Sequence, residues 1–416
     1  MAIRTETLVI GGGVIGVCSA YYLAQQGREV TVVDKGAICS GSSYGNAGLI
    51  VPSHSVPLAA PAVLLKGLRW MLNPESPFYI KPRLDRDLIS WLWKFRGACN
   101  ERHVRRAMPL IHDLSRASLA LYRELAAIEG LSFGYHQNGL LTVFRTERGL
   151  EEAREESHLL AEAGVAGKIL DAGGARVMEP MLSPDVVGGL FFPDDAHLTP
   201  DRFVNGLAEI AEHMGVRFHP STEVLGFSRR GRRITAVETT RGDFETDEVV
   251  LTAGSWSSEI ASALALSLPI QPAKGYSVTH RRPRQSPAVP LLLAEARVAV
   301  TPMGETLRFA GTLELAGLDL TINRRRVDAI RRAAARYLTG TEDLETIEIW
   351  RGLRPCTPDG LPIIGRPAQL QNLILATGHA TIGVSLGPIT GKLVSQLAAH
   401  QEPMLNLGLL DPGRFK

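Results

Sequence analysis

Apolar and polar positions follow two different periods along this chain. Residues 7–10 form a short apolar run, the pattern of a buried strand, and glycines follow it at once. Helical spacing then covers 14–26 and Gly27 closes it as a C-terminal stop. A second buried strand is predicted over 29–33, which completes a strand–helix–strand unit of roughly 30 residues. Further helices are predicted over 83–106, 110–129 and, in polar form, 147–163, with a strand at 139–145. Thr199 reads as the N-cap of a helix to 214, with Pro200 at its first position. Strands separated by turns are predicted over 222–229, 233–239 and 244–253, and again over 274–281, 298–302 and 306–312. A basic helix (324–338), a strand (373–376) and a helix (388–399) end the pattern.

Strands alternate with helices at the start, middle and end, and the stretches between read as antiparallel. The fold class expected is therefore α/β with an α+β second domain. A discontinuous Rossmann-like domain is assigned to 1–54, 197–270 and 350–416. It carries an inserted antiparallel-sheet domain at 55–196 and 271–349, the substrate side.

The first turn gives this frame a chemistry. Gly11, Gly13 and Gly16 satisfy GxGxxG, with a strand before, a helix after, and Asp34 at the end of the second strand. Such a turn brings backbone close to a pyrophosphate, the helix N-terminus favours its charge, and the carboxylate accepts from ribose hydroxyls. An acid at that place repels a 2′-phosphate, which disfavours NADP. NAD and FAD both remain open on these residues. The following loop, 36–48, is rich in glycine and serine and could continue along a longer cofactor or be an ordinary loop.

Composition narrows the classes. The chain has 416 residues, enough for two or three domains, and 45 basic against 43 acidic residues give a net charge of +2. That balance excludes a dedicated nucleic-acid binder, which needs a sustained cationic surface. Glycine is high, at 41 residues. Cys18, Cys39, Cys99 and Cys356 form no CxxC pair, which fits a reducing, cytoplasmic setting. No signal peptide is indicated, and apolar runs fall short of the ~18–20 residues of a spanning helix. The segment 57–72, apolar with Lys66, Arg69 and Trp70 interleaved, suits either a packed helix or an amphipathic one on a membrane. No His/Cys/Asp cluster has metal-ligand spacing, so no metal is expected.

Four motifs then identify a family resemblance: GGGVIG at 11–16, SSYGNAG at 42–48, AGSW at 253–256 and RPCTPDG at 354–360. In order and spacing the chain resembles the D-amino-acid oxidase-like flavoproteins. With NAGLIVPSHSVPLAAP, KGYSVT and GLRPCTPDGLPIIG it is most similar to the D-amino-acid dehydrogenases. The resemblance implies noncovalent FAD. Gly11, Gly13, Gly16 and Asp34, with Val14, Ile15 and Lys35 beside them, would hold its ADP half. Ser42 and Ser43 would sit by the pyrophosphate and ribityl chain, and Asn46, Ala47, Gly48 and Leu49 along the flavin. Val224 would pair with adenine, and Ala253, Gly254 and Trp256 would pass near the pyrophosphate. Gly378, His379, Thr381, Ile382 and Gly383 would form a backbone turn at the flavin's pyrimidine edge. Asp34 stands where many relatives carry glutamate, and Cys356 where methionine is common.

The activity implied is oxidative deamination of a D-amino acid to a 2-oxo acid and ammonia. Hydride passes from the α-carbon to flavin N5, and the electrons pass to a quinone or other acceptor rather than mainly to oxygen. Arg354 is the candidate to bind the substrate carboxylate bidentately. Tyr276 is the candidate second contact, and His54 the candidate pocket-lining group. Oxidation of glycine, sarcosine, proline or hydroxyproline is an alternative, as is a flavin-bearing subunit of a hetero-oligomer. A homo-oligomer and a peripheral contact with the cytoplasmic face of the inner membrane stay open.

Overall fold

The computed structural model describes residues 3–61, 76–162 and 164–415. Most of the apolar 57–72 segment, with Lys66, Arg69 and Trp70, lies outside the described residues. Ile3–Ile10 runs parallel between Val30–Val33 and Phe244–Leu251, and Leu373–Thr377 joins the far side of the latter. A parallel centre needs cover on both faces. Leu8, Val9, Val32, Val249, Val250 and Leu375 are accordingly closed off from solvent. Antiparallel strands Arg233–Thr239 and Val224–Arg230 extend this eight-stranded sheet at one end and Arg217–His219 at the other. The helices Val14–Gln25, Pro200–His213 and Gly387–Ala398 share one apolar core with it. Segments from both ends of the sequence thus build this cofactor sheet, as the alternation predicts.

The second, nine-stranded sheet is mostly antiparallel and forms a roof. Its edge strand, Thr346–Cys356, pairs with Gln271–Arg281, which pairs with Thr306–Leu315. The helix Arg324–Tyr337 covers its outer face, packing Val327, Ile330, Ala334 and Tyr337 against Tyr276, Val278 and Phe309. Opposite side-chain direction puts Gly275, Ser277, Trp350, Gly352 and Arg354 on the inner face. Among the described residues no helix is long and apolar enough to cross a membrane.

Several expectations shift. The helix break falls at Cys99–Asn100, between Arg86–Ala98 and Glu101–Ala126, and not near Pro109. Asn100 caps the second helix, its side-chain oxygen accepting from His103 N at 2.9 Å. That long helix lies within the stretch assigned to the substrate side, yet Ile111, Leu114, Tyr122 and Leu125 pack into the cofactor-side core. The boundary placed at 350 falls inside the roof's edge strand. Strands Lys168–Asp171 and Gly188–Phe192 were not expected; paired glycines at 188 and 189 weaken the strand pattern that would have revealed the second.

Candidate active site

The glycine turn is built as its sequence requires. Gly11 has φ +111°, and a Cβ on Gly16 would stand 1.8 Å from the Gly11 carbonyl oxygen. Neither position accepts a side chain, so the helix Val14–Gln25 starts hard against the first strand. Asp34 is fixed by two backbone donors: Gly12 N reaches Oδ2 at 2.7 Å and Gly36 N reaches Oδ1 at 2.7 Å. Each oxygen keeps acceptor capacity for a ribose hydroxyl. Ser43 Oγ accepts from Val14 N at 3.0 Å and ties the serine-rich loop to the helix start.

These groups open on a cavity of about 580 Å³ between the cofactor sheet and the roof. Gly11, Gly13, Val14, Ile15, Asp34, Lys35, Ser42, Ser43 and Asn46 line it, as do Val224, Ala253, Gly254, Trp256, Arg354, His379 and Gly383. The Lys35 ammonium lies 3.9 Å from the centre of the Trp256 ring. Gly16 stands behind the turn. Gly378 and Ile382 shape the final turn without lining the cavity, and Thr381 is its exposed tip. Ala47, Gly48 and Leu49 lead away from Asn46, with Gly48 O accepting from Leu198 N and Leu49 pairing with His197. A phosphate-type turn, a ribose-placed carboxylate and backbone from three further segments converge on one space. The residues present fit an extended dinucleotide.

Above them lies Arg354. Its guanidinium lies across Gly275, where a Cβ would be 1.6 Å from Nη1. Nη1 donates to Thr312 O at 2.9 Å, and no ion pair is made with a carboxylate among the described residues. Burial pulls its pKa below the usual arginine value, and Pro355 follows it along the cavity wall. An unpaired, partly buried guanidinium facing such a space is a carboxylate receptor.

Two candidates stand elsewhere. Tyr276 points to the outer face of the roof, fully buried, its hydroxyl 3.3 Å from Glu314 Oε2 and accepting from Asn323 N at 3.3 Å. The reason is strand alternation: neighbouring Gly275 faces inward, so Tyr276 faces out. His54 is not among the cavity-lining residues; burial and the Arg297 charge push its pKa down to about 4. His379 lines the cavity, but its Nε2 is 2.9 Å from Thr390 Oγ1 and burial pushes its pKa down to about 3. Burial thus favours the uncharged imidazole, held against Thr390. Burial likewise pushes the Cys356 thiol up to about 12, which makes it an inert filler.

Sequence reasoning missed other parts. Ser255 and Ser42 both donate from their hydroxyls to Leu353 O on the roof's edge strand. Arg308, buried in the roof, donates from Nη1 to Tyr44 O at 2.9 Å and Asn46 O at 3.0 Å, and from Nε to Thr279 Oγ1. It clamps the loop that lines the cavity. An arginine between Leu307 and Phe309 in an apolar strand was the available signal. Thr222, Leu225 and Glu259 also line the cavity, and Leu320 enters from a roof loop whose sequence carries no motif.

The comparisons with known proteins agree with this geometry. The model of the family described as FAD dependent oxidoreductase matches residues 6–397. A D-amino acid dehydrogenase of Granulibacter bethesdensis is 34% identical, covering 99% of each chain. One of Methylobacterium nodulans is 37% identical, covering 96% of each. Among solved structures, a glycine oxidase of Geobacillus kaustophilus superposes with a TM-score of 0.81 at 24% identity, covering 99% of each chain, which shows the shared fold. With its glycine turn, its cavity and a family match over nearly its whole length, the chain belongs to the FAD dependent oxidoreductase family.

Proposed function

We propose that this enzyme is a D-amino-acid dehydrogenase that deaminates its substrate oxidatively to a 2-oxo acid and ammonia. The observation that carries the reading is Arg354, a guanidinium facing the cavity and lacking a carboxylate partner among the described residues. The curated relatives named D-amino acid dehydrogenase support the substrate class and its stereochemistry. FAD, held noncovalently when bound, supplies the acceptor for the hydride that leaves the α-carbon. The chain's own residues do the positioning. Gly11, Gly13 and Asp34 hold the ADP half, and Ser43 and Asn46 carry the loop along the rest. Arg354 grips the substrate carboxylate through two parallel N–H donors, which fixes the α-carbon's direction as well as its charge. The glycine-rich backbone at 378–383, leading into the helix Gly387–Ala398, favours negative charge arising at its N-terminal end.

No side chain is assigned as the base. His379 is engaged with Thr390 where burial favours its uncharged form, and an amine that arrives deprotonated needs no further proton removal before hydride loss. The electrons leave for a quinone-type acceptor in preference to oxygen. Paired D- and L-amino acids added anaerobically to the FAD-loaded enzyme test the reading. Bleaching of the flavin absorbance by D-isomers is expected. A flavin left oxidised by every D-amino acid, or bleached equally by L-isomers, refutes it. Reoxidation by a soluble quinone faster than by dissolved oxygen is the expected second result.

A further inference from the structure

Two glycines near the cavity accept no side chain, although their backbone does not call for glycine. Gly45, in the loop that lines the cofactor cavity, and Gly352, on the inner face of the roof, both lie outside the left-handed φ region. One indole explains both. A Cβ on Gly45 would stand 2.0 Å from Trp350 Cδ2. A Cβ on Gly352 would stand 2.0 Å from Cη2, at the far edge of the same ring. Trp350 is 9% exposed, so its ring is wedged between loop and roof. Arg308 supplies the opposing pull. It donates to Tyr44 O at 2.9 Å and Asn46 O at 3.0 Å, the two residues that flank Gly45. The loop is drawn up on both sides of Gly45 and stopped at Gly45 by the ring, at a carbon–carbon contact of about 3.5–4.0 Å. The next residue, Asn46, lines the cavity.

The same ring borders the seat of Arg354. Gly352 faces Gly275 across the two roof strands, and opposed residues of an antiparallel pair stand about 4.5–5.5 Å apart. The indole edge covers Gly352 while the guanidinium covers Gly275, so the two side chains lie next to each other on the inner face. We propose that Trp350 is a positioning residue of this enzyme. Its indole sets the height of the cofactor loop below Arg354, and so the distance between a carboxylate held by Arg354 and the cofactor. The ring is not among the cavity-lining residues, and it acts through Gly45 and Gly352. The reaction is steep in that distance, since a misplacement of about 1 Å costs about a hundredfold in rate. The inference rests on the amino-acid reading for the rate it predicts, and not for the cofactor affinity.

The first test titrates apoenzyme with FAD, followed by flavin fluorescence, in Gly45→Ala, Trp350→Leu and the double variant. The added methyl meets the ring and the leucine removes it, so each single change should raise the FAD Kd about tenfold. Independent effects would multiply to about a hundredfold, whereas coupling through one contact should keep the double variant within about threefold of the weaker-binding single variant. The second test uses the FAD-loaded enzyme without oxygen. Trp350→Leu should slow flavin bleaching by saturating D-alanine about a hundredfold. The half-saturating D-alanine concentration should move less than about threefold, because Arg354 still grips the carboxylate. A residue needed only for folding would lower Tm and flavin content and leave the rate of the loaded fraction at the parent value. Gly352→Ala presses on the ring from the roof side, so it should show the same slow bleaching even if Trp350→Leu folds poorly. A multiplicative loss in the double variant, a parent-like FAD Kd in Gly45→Ala, or parent-like bleaching in Trp350→Leu or Gly352→Ala overturns the proposal. If FAD affinity is coupled as expected while no D-amino acid bleaches the flavin, the role of Trp350 stands and the amino-acid reading falls.

Discussion

Replacing Gly275 by alanine would put a Cβ 1.6 Å from Arg354 Nη1, so the guanidinium would have to leave its seat on the roof. A displacement of that size at an orienting group costs on the order of a hundredfold in rate. Gly275→Ala should therefore lower kcat/KM about a hundredfold while the protein still purifies with its flavin, because the glycine turn is untouched. Steady-state kinetics beside the flavin absorbance would check both halves. At this scale the sequence was legible where chemistry is local. Gly11, Gly16 and Asp34 act through neighbours a few residues away or one strand over, and their spacing announces them. Tyr276 and Gly275 could not be told apart in the same way. A strand alternates its faces, and which face is inward depends on partners far along the chain. The residue that matters in KGYS is the glycine, since Arg354 fills the space a side chain would take.

The loop at 42–48 makes its own turn bonds, Asn46 N to Ser43 O and Gly48 N to Asn46 Oδ1, and is held from above by the roof as well. Arg308 reaches down to the carbonyls of Tyr44 and Asn46, two charge-assisted bonds from a side chain 5% exposed. Arg308→Gln should weaken FAD binding about tenfold or more, measured by titrating apoenzyme with FAD and following flavin fluorescence. The stretch just beyond is held by Asp195, whose Oδ2 accepts from Ser53 Oγ at 2.5 Å and whose Oδ1 accepts from Ser53 N at 3.2 Å. Burial raises the Asp195 pKa to about 7, against an ordinary aspartate value of 3.8. The folded state then binds the extra proton between about pH 4 and pH 7, so this group's contribution to stability falls as pH rises through that window. Asp195→Asn should flatten that part of the profile and narrow the difference in Tm between pH 5 and pH 8. Element boundaries were readable where caps are local, as at Thr199–Pro200. They were misread where a proline sat inside a helix that tertiary packing sustains, as at Pro109.

The whole molecule is assembled around a space that its two sheets share, with one wall from the first residues of the chain and another from the last. Cofactor binding should therefore stabilise the entire fold. FAD at a hundred times its Kd adds about 2.7 kcal/mol, and thermal melts of apoenzyme with rising FAD should climb accordingly. The alternation of strands and helices was enough to foresee a cofactor sheet split across the sequence. It was not enough to assign the helix Glu101–Ala126 to that half, because an amphipathic stripe states that a partner exists without naming it. One bond pattern at the seam has a mechanical meaning. Leu353 O receives the hydroxyls of Ser42 and Ser255, so a single carbonyl on the roof's edge rivets two separate pieces of the floor. Prising the sheets apart would shear both rivets together and strand a buried acceptor. The pair of bonds therefore acts as a spacer that opposes any widening of the gap between floor and roof.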